Sequence, residues 1–174
     1  MDGLFAAVDV HYPAAGGARA AMVLARDVAF SAIAVERTVT LEHVADYRPG
    51  RFFERELPPI RAVLAGQEGL CLVVVDGYVH LDPDGRPGLG AHLHSALALP
   101  VIGVAKTLFR SATHTIEVLR GAATRPLYVT AIGLDPDRAA EIVHDMAGPY
   151  RIPDAIRRAD ALSRTATPRS GDER

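Results

Sequence analysis

The stretch CLVVVDGYVHL, residues 71–81, decides the architecture of this chain. Its β-branched and aliphatic run ends at Asp76-Gly77, and a continuous apolar run bounded by turn residues reads as a strand buried on both faces. The aspartate at its far end is therefore delivered to the rim of a sheet. An earlier segment, LFAAVDVHY (4–12), has the same form and brings Asp9 to the end of its apolar run. A third run, PVIGVA (100–105), leads into Lys106, the one lysine beside eighteen arginines. Lysine is a compact point charge where the planar arginine fork does not fit, which marks Lys106 as a candidate for chemistry. Taken alone, its segment reads equally as an ordinary exposed strand end.

Around these three runs the chain divides into a β-rich start and an alternating remainder. Leu4–Val10, Ala20–Ala25 and Ala32–Val39 read as strands joined through the turns of PAAGG and RDVAFS, which predicts an antiparallel meander. Pro58-Pro59 then opens a helix with Ile60, Val63 and Leu64 on one face. Strand 72–75, a helix carrying Leu89, Leu93 and Leu97, and strand 101–104 form a βαβ unit, whose functional groups belong at the carboxyl ends of its strands. Leu127–Thr130 predicts another strand. Asp135-Pro136 caps a helix that stops near Gly148, and Ile156, Ala159 and Leu162 mark a last amphipathic helix. The expectation is a single α/β domain over residues 1–163: a mixed sheet with a three-strand meander followed by βαβ units, in the manner of a ribonuclease H-like domain. Residues 164–174 read as a disordered tail.

Composition narrows the class. The chain has 174 residues, 49% hydrophobic, no tryptophan and one cysteine, which describes an aliphatic core without disulfides. Cys71, inside an apolar strand, is expected as a small core residue. No membrane-length apolar run and no basic signal-like start are present, so the expectation is an intracellular, cytoplasmic protein. The net charge of −2 supplies no global attraction for nucleic acid. Arg48, Arg51 and Arg55 nevertheless cluster around Tyr47, either as phosphate contacts or as a solvated loop.

Two strand-end carboxylates side by side repel each other unless a divalent ion lies between them, and carboxylate oxygens suit Mg2+, with Mn2+ able to substitute. Glu56, ahead of the Pro58-Pro59 helix, offers a third carboxylate; its alternative reading is a helix-start charge favoured by the macrodipole. His92 and His94 are two apart on a helix and face different ways, which disfavours a metal pair. Asp160 reads as a fourth acid near the site or as part of a solvated helix face.

AAVDVHY, DYRPGRFFERELPPI, LVVVDGYVHLDPDGRPGLGAHL, LPVIGVAKTLF, PLYVTAIGLDPDRAAEIV and YRIPDAIRRADAL, in that order, resemble the endonuclease V family, whose members nick nucleic acid near deaminated adenine. The resemblance implies a ribonuclease H-like fold and metal-dependent hydrolysis of the second phosphodiester bond on the 3′ side of inosine, in DNA or RNA. By position, Asp9, Glu56 and Asp76 match the family's metal-binding carboxylates, and Lys106 its catalytic lysine. Tyr47, Pro49 and Gly50 resemble the wedge that enters the duplex, while Gly77 and Gly103 match glycines near the pocket for the displaced base. Three features depart from the pattern: the family's SPGH appears as VTAIG without its histidine, the histidine after VDG is Tyr78, and no helix precedes the first strand. They motivate an alternative, a catalytically weakened or inactive nucleic-acid-binding module on the same scaffold.

Overall fold

A computed structural model describes residues 3–165. The expected meander is formed by β1 (Leu4–His11), β2 (Ala18–Ala25) and β3 (Ile33–Leu41), each antiparallel to its neighbour. Then follow α1 (Phe53–Leu64), β4 (Leu70–Asp76), α2 (Leu89–Leu97), β5 (Val101–Ala105), β6 (Ile116–Val118), β7 (Leu127–Ile132), α3 (Pro136–Asp145) and α4 (Asp154–Arg164). One seven-stranded sheet results, in the order β3-β2-β1-β4-β5-β7-β6. β4 lies parallel to both β1 and β5. The strand expected at 127–130 is β7, and it runs antiparallel to β5 and to the short β6, which no sequence pattern had marked. This is the mixed α/β, ribonuclease H-like arrangement.

Burial on both faces explains the unbroken apolar run of β4. Val73 and Val75 point into a cluster with Ile60, Val63 and Leu93 of α1 and α2. Val74 points the other way, into a cluster with Ile142, Val143, Ile156 and Ala159 of α3 and α4. A strand with helices on both sides has no solvent face on which alternation could appear.

Several local expectations are corrected. Pro58 and Pro59 lie inside α1, which starts at Phe53. Each proline removes a donor and crowds the carbonyl four residues back, at a cost of ~3 kcal/mol or more in a helix interior. Burial of Pro59, Ile60, Val63 and Leu64 outweighs that cost and holds the helix together. Glu56 therefore sits within the first turn rather than ahead of the helix. Cys71 is exposed, because β4 bulges there: Leu4 pairs with Leu70 and Phe5 with Leu72, which leaves Cys71 as the extra residue. α3 ends before Met146, two residues short of the expected glycine stop. Of the tail predicted from residue 164, Arg164 closes α4 and Thr165 caps it, and the rest lies outside the described residues.

The irregular segment between α3 and α4 is organised by Arg120, only 4% exposed. Its guanidinium donates to the carbonyls of His144 at 3.2 Å, Gly148 at 3.0 Å and Tyr150 at 2.7 Å, and also to Met146. One side chain thus satisfies the His144 carbonyl in the last turn of α3 together with carbonyls of the connection that leads to α4. Arg120→Ala is expected to lower unfolding stability by about 2–4 kcal/mol in urea titration; a loss well under 1 kcal/mol would mean that water replaces the guanidinium freely.

Candidate active site

The register of the parallel strands builds the site. Val8 of β1 pairs with Val75 of β4, so the next residues, Asp9 and Asp76, stand side by side at the carboxyl rim. On the other side of β4, Asp76 pairs with Val104 of β5, and Lys106 follows directly after that strand. Lys106 Nζ donates to Asp76 Oδ2 at 2.5 Å, with the two side chains 36% and 29% exposed. Glu56 is supplied from the first turn of α1.

Electrostatics reports how closely these acids meet. Burial, then the negative charge of Asp9 and of Asp76, push the Glu56 carboxyl up to about 8. Burial and Asp76 likewise raise Asp9 to about 7, and a carboxyl–carboxyl hydrogen bond with Asp160 of α4 adds to the effect by favouring a proton on Asp9. Burial also acts to raise Asp160, but the Arg164 side chain, bonded at 2.9 Å, and the same contact with Asp9 hold it low. Ser163, fully buried, reaches Asp9 Oδ2 at 3.3 Å and the Asp160 carbonyl at 2.8 Å.

Asp160 is thus the acid that sequence reasoning left undecided, and the structure brings it to Asp9. The signal lay in the helical period: Ala159 and Ser163 are buried, so the intervening Asp160 flanks the face of α4 that meets the sheet. The VTAIG segment behaves in the opposite way. Ile132 pairs with Val101 at the start of β5, whereas Lys106 lies beyond its end. Four strand steps separate the two rims, about 13 Å. Gly133 also adopts φ +77, and a Cβ there would meet Pro100 Cα at 3.0 Å. Gly133, the last residue of that segment, thus lies toward the opposite rim from Asp9 and Asp76.

Beside the acids lies a cavity of about 230 Å3, lined among others by Gly50, Phe52, Phe53, Glu56, Asp76 and Gly77. Gly77, at φ +135, turns the chain away from β4 at the cavity wall. Gly103 sits beneath that turn, where a Cβ would lie 2.6 Å from Gly77 O, 2.7 Å from Thr130 Oγ1 and 2.9 Å from Val79 N. It permits the close crossing rather than lining the cavity. Gly50, at φ +78, bends the loop at the cavity's edge. Next to it Pro49 is exposed and Tyr47 is 62% exposed, its ring edge-on to Phe52 at 6.3 Å. Of the nearby arginines, Arg55 stacks over Tyr12 at 4.3 Å and Arg51 pairs with Glu54 at 2.6 Å. His92 stacks on Phe53 at 3.6 Å and His94 Nδ1 meets the Leu99 carbonyl at 2.7 Å, so the two histidines face different partners. A larger cavity of about 510 Å3 lies between Ile33 of β3 and Arg157 and Arg158 of α4, away from Asp9, Glu56 and Asp76. The smaller cavity is the candidate because it touches the acids.

Raised carboxyl values carry a definite sign. Folding favours the protonated forms of Asp9 and Glu56, so their contribution to stability is complete below about pH 4 and is lost as pH rises through about 7 and 8. In EDTA, the Asp9→Asn, Glu56→Gln double variant is expected to gain on the wild type between pH 5 and pH 9, by about 5 °C or more in melting midpoint. Melting curves that stay parallel across that range would contradict the placement of the two acids.

Comparison with known proteins agrees with this geometry. The family model for endonuclease V matches residues 2–161. Endonuclease V of Streptomyces coelicolor is 36% identical, over 91% of this chain and 77% of its own length. The crystal structure of endonuclease V from Streptomyces avermitilis superposes with a TM-score of 0.76 at 29% identity, covering 93% of this chain and 80% of that one. Endonuclease V of Ciona intestinalis, solved with a 24mer DNA containing an inosine followed by a ribo-adenosine, shares the fold with a TM-score of 0.79 at 20% identity, over 93% and 84% of the two chains. By sequence and by fold, the chain belongs to the endonuclease V family of nucleases.

Proposed function

We propose that this protein is a divalent-metal-dependent endonuclease that hydrolyses the second phosphodiester bond 3′ to inosine in DNA or RNA. The observation that carries the reading is the convergence of Asp9, Glu56 and Asp76, with Lys106 bonded to Asp76, at the mouth of a cavity of about 230 Å3. Family membership and the inosine-containing DNA bound by the Ciona relative support it. The binding-module alternative is separated from this reading by comparing metal-dependent nicking with metal-independent binding of the same oligonucleotide.

The donor set fits a hard divalent cation. Asp9 and Glu56 are partly buried acids whose ionisation is opposed by burial and by neighbouring negative charge, the condition a cation relieves. Among the described residues, no three acidic, histidine or cysteine side chains are arranged to enclose an ion by themselves. Mg2+ binds through one or two carboxylates and completes its shell with water and substrate phosphate. Asp9, Asp76 and Glu56 would hold it, with Mn2+ as a substitute, and a cation bound there supplies Lewis-acid charge at the scissile phosphate.

The remaining roles belong to the chain's own groups. Asp160 and Ser163 orient the Asp9 carboxylate through their contacts with it. Lys106, fixed beside Asp76, neutralises charge that builds on the phosphate as the bond breaks. Tyr47, Pro49 and Gly50 project beside the cavity as the wedge. Exposed aromatic rings stack on bases without regard to sequence, and Tyr47 with the half-exposed Phe52 offers such a surface. Gly77 shapes the wall facing the extruded base, and Gly103 keeps the backbone beneath it close.

The test is nicking of end-labelled oligonucleotides, one DNA and one RNA, each with a single inosine, in Mg2+ or Mn2+. A discrete product one nucleotide beyond inosine is expected, abolished in Asp76→Ala and slowed ~10²–10³-fold in Lys106→Ala. Undiminished cleavage by a folded Asp76→Ala protein would defeat the assignment of the acids, and no metal-dependent nicking by the wild type would defeat the nuclease reading.

A further inference from the structure

We propose that Tyr78 is a positioning residue for Lys106: its hydroxyl fixes the backbone just past the lysine, so that Nζ stays directed at Asp76. The inference rests on the catalytic reading of Lys106 given above. Tyr78 follows the glycine turn at 77 and sends its side chain across to the segment leaving β5. There its hydroxyl donates to the Thr107 carbonyl at 2.6 Å and accepts the Phe109 amide at 2.7 Å. A phenol carries one proton and acceptor lone pairs, so both bonds form at once with fixed directions. The rings of Tyr78 and Phe109 pack with centroids 6.1 Å apart, and Ser111 Oγ donates to the Leu81 carbonyl at 2.7 Å. Residues 78–81 and 107–111 are therefore fastened together along their length.

The fastening matters because nothing regular holds the chain there. Between β5 and β6 lies an irregular segment, with Leu108 and Phe109 50% and 44% exposed. The lysine's own carbonyl is held separately, accepting from Arg151 Nη2 at 2.6 Å. With Ala105 paired to Tyr128 before the lysine and these bonds after it, the motion left to Lys106 is chiefly in its side-chain torsions. A part-exposed ion pair orders a four-carbon stem weakly on its own. Fixing the backbone first lessens what remains to be ordered when the phosphate arrives.

Steady-state nicking of the inosine oligonucleotide is compared for the wild type, Tyr78→Phe, Lys106→Ala and the double variant. Tyr78→Phe keeps the ring and loses both bonds. Its kcat is expected to fall ~10–100-fold, with KM within about threefold of the wild type. In the Lys106→Ala background the same change is expected to cost less than about twofold, because the group it positions is gone. Equal losses in both backgrounds, or a raised KM with kcat intact, would overturn the assignment. Amide hydrogen exchange of the wild type gives a readout independent of any variant's folding: Phe109 N–H is expected to be protected, and exchange at the rate of a free loop amide overturns the proposal. Wild type that nicks, with Tyr78→Phe equally fast, removes the Tyr78 role alone; wild type that does not nick removes the nuclease reading and with it this inference.

Discussion

Repulsion among Asp9, Glu56 and Asp76 is the constraint to which the rest of the structure answers. Parallel pairing of β1 and β4 places two aspartates at adjacent positions on one rim, and α1 adds a glutamate above them. Both shifted acids move in the direction that burial and like charge dictate. What keeps the arrangement folded is the neutral packing around it. Valines of β4 fill both faces of the sheet, and the helices that carry Glu56 and Asp160 are anchored in those same two clusters. The site is thus an unfavourable cluster of charge held together by apolar contacts that lie outside it.

The parts of this arrangement that were legible in the sequence are those set by short-range pattern. An unbroken apolar run followed by Asp-Gly is enough to place Asp76 at a strand end, and the alternation of strand and helix is enough to make β4 and β5 parallel. The glycines were also legible as close-approach positions, although Gly103 proves to support a backbone crossing rather than to face the cavity. α1 was misplaced because a Pro-Pro pair signals a helix start when only local propensity is weighed. Four buried side chains on the sheet outweigh two missing backbone donors.

What stayed hidden depends on contacts between residues far apart in the chain. β6 has three residues and exists only because β7 offers it an edge. Arg120 lies in no motif, yet it gathers carbonyls from the end of α3 and the connection to α4. The helical period sets Asp160 beside the face of α4 that meets the sheet, but its partner there, Asp9 on the rim of β1, shows only in the fold.

The bond from Ser163 to Asp9 spans 154 residues. Contacts of such separation close the largest loops and form late, after the local pairings are in place. A ribosome delivers the meander and β4 long before it delivers α4, so the nascent chain holds Asp9 beside Asp76 for some time without Asp160 or Ser163. The acidic centre is therefore completed as the final helix docks through Ala155, Ile156 and Ala159. A hydrolytic enzyme built in this order acquires its full set of groups only once nearly the whole domain has been synthesised and packed.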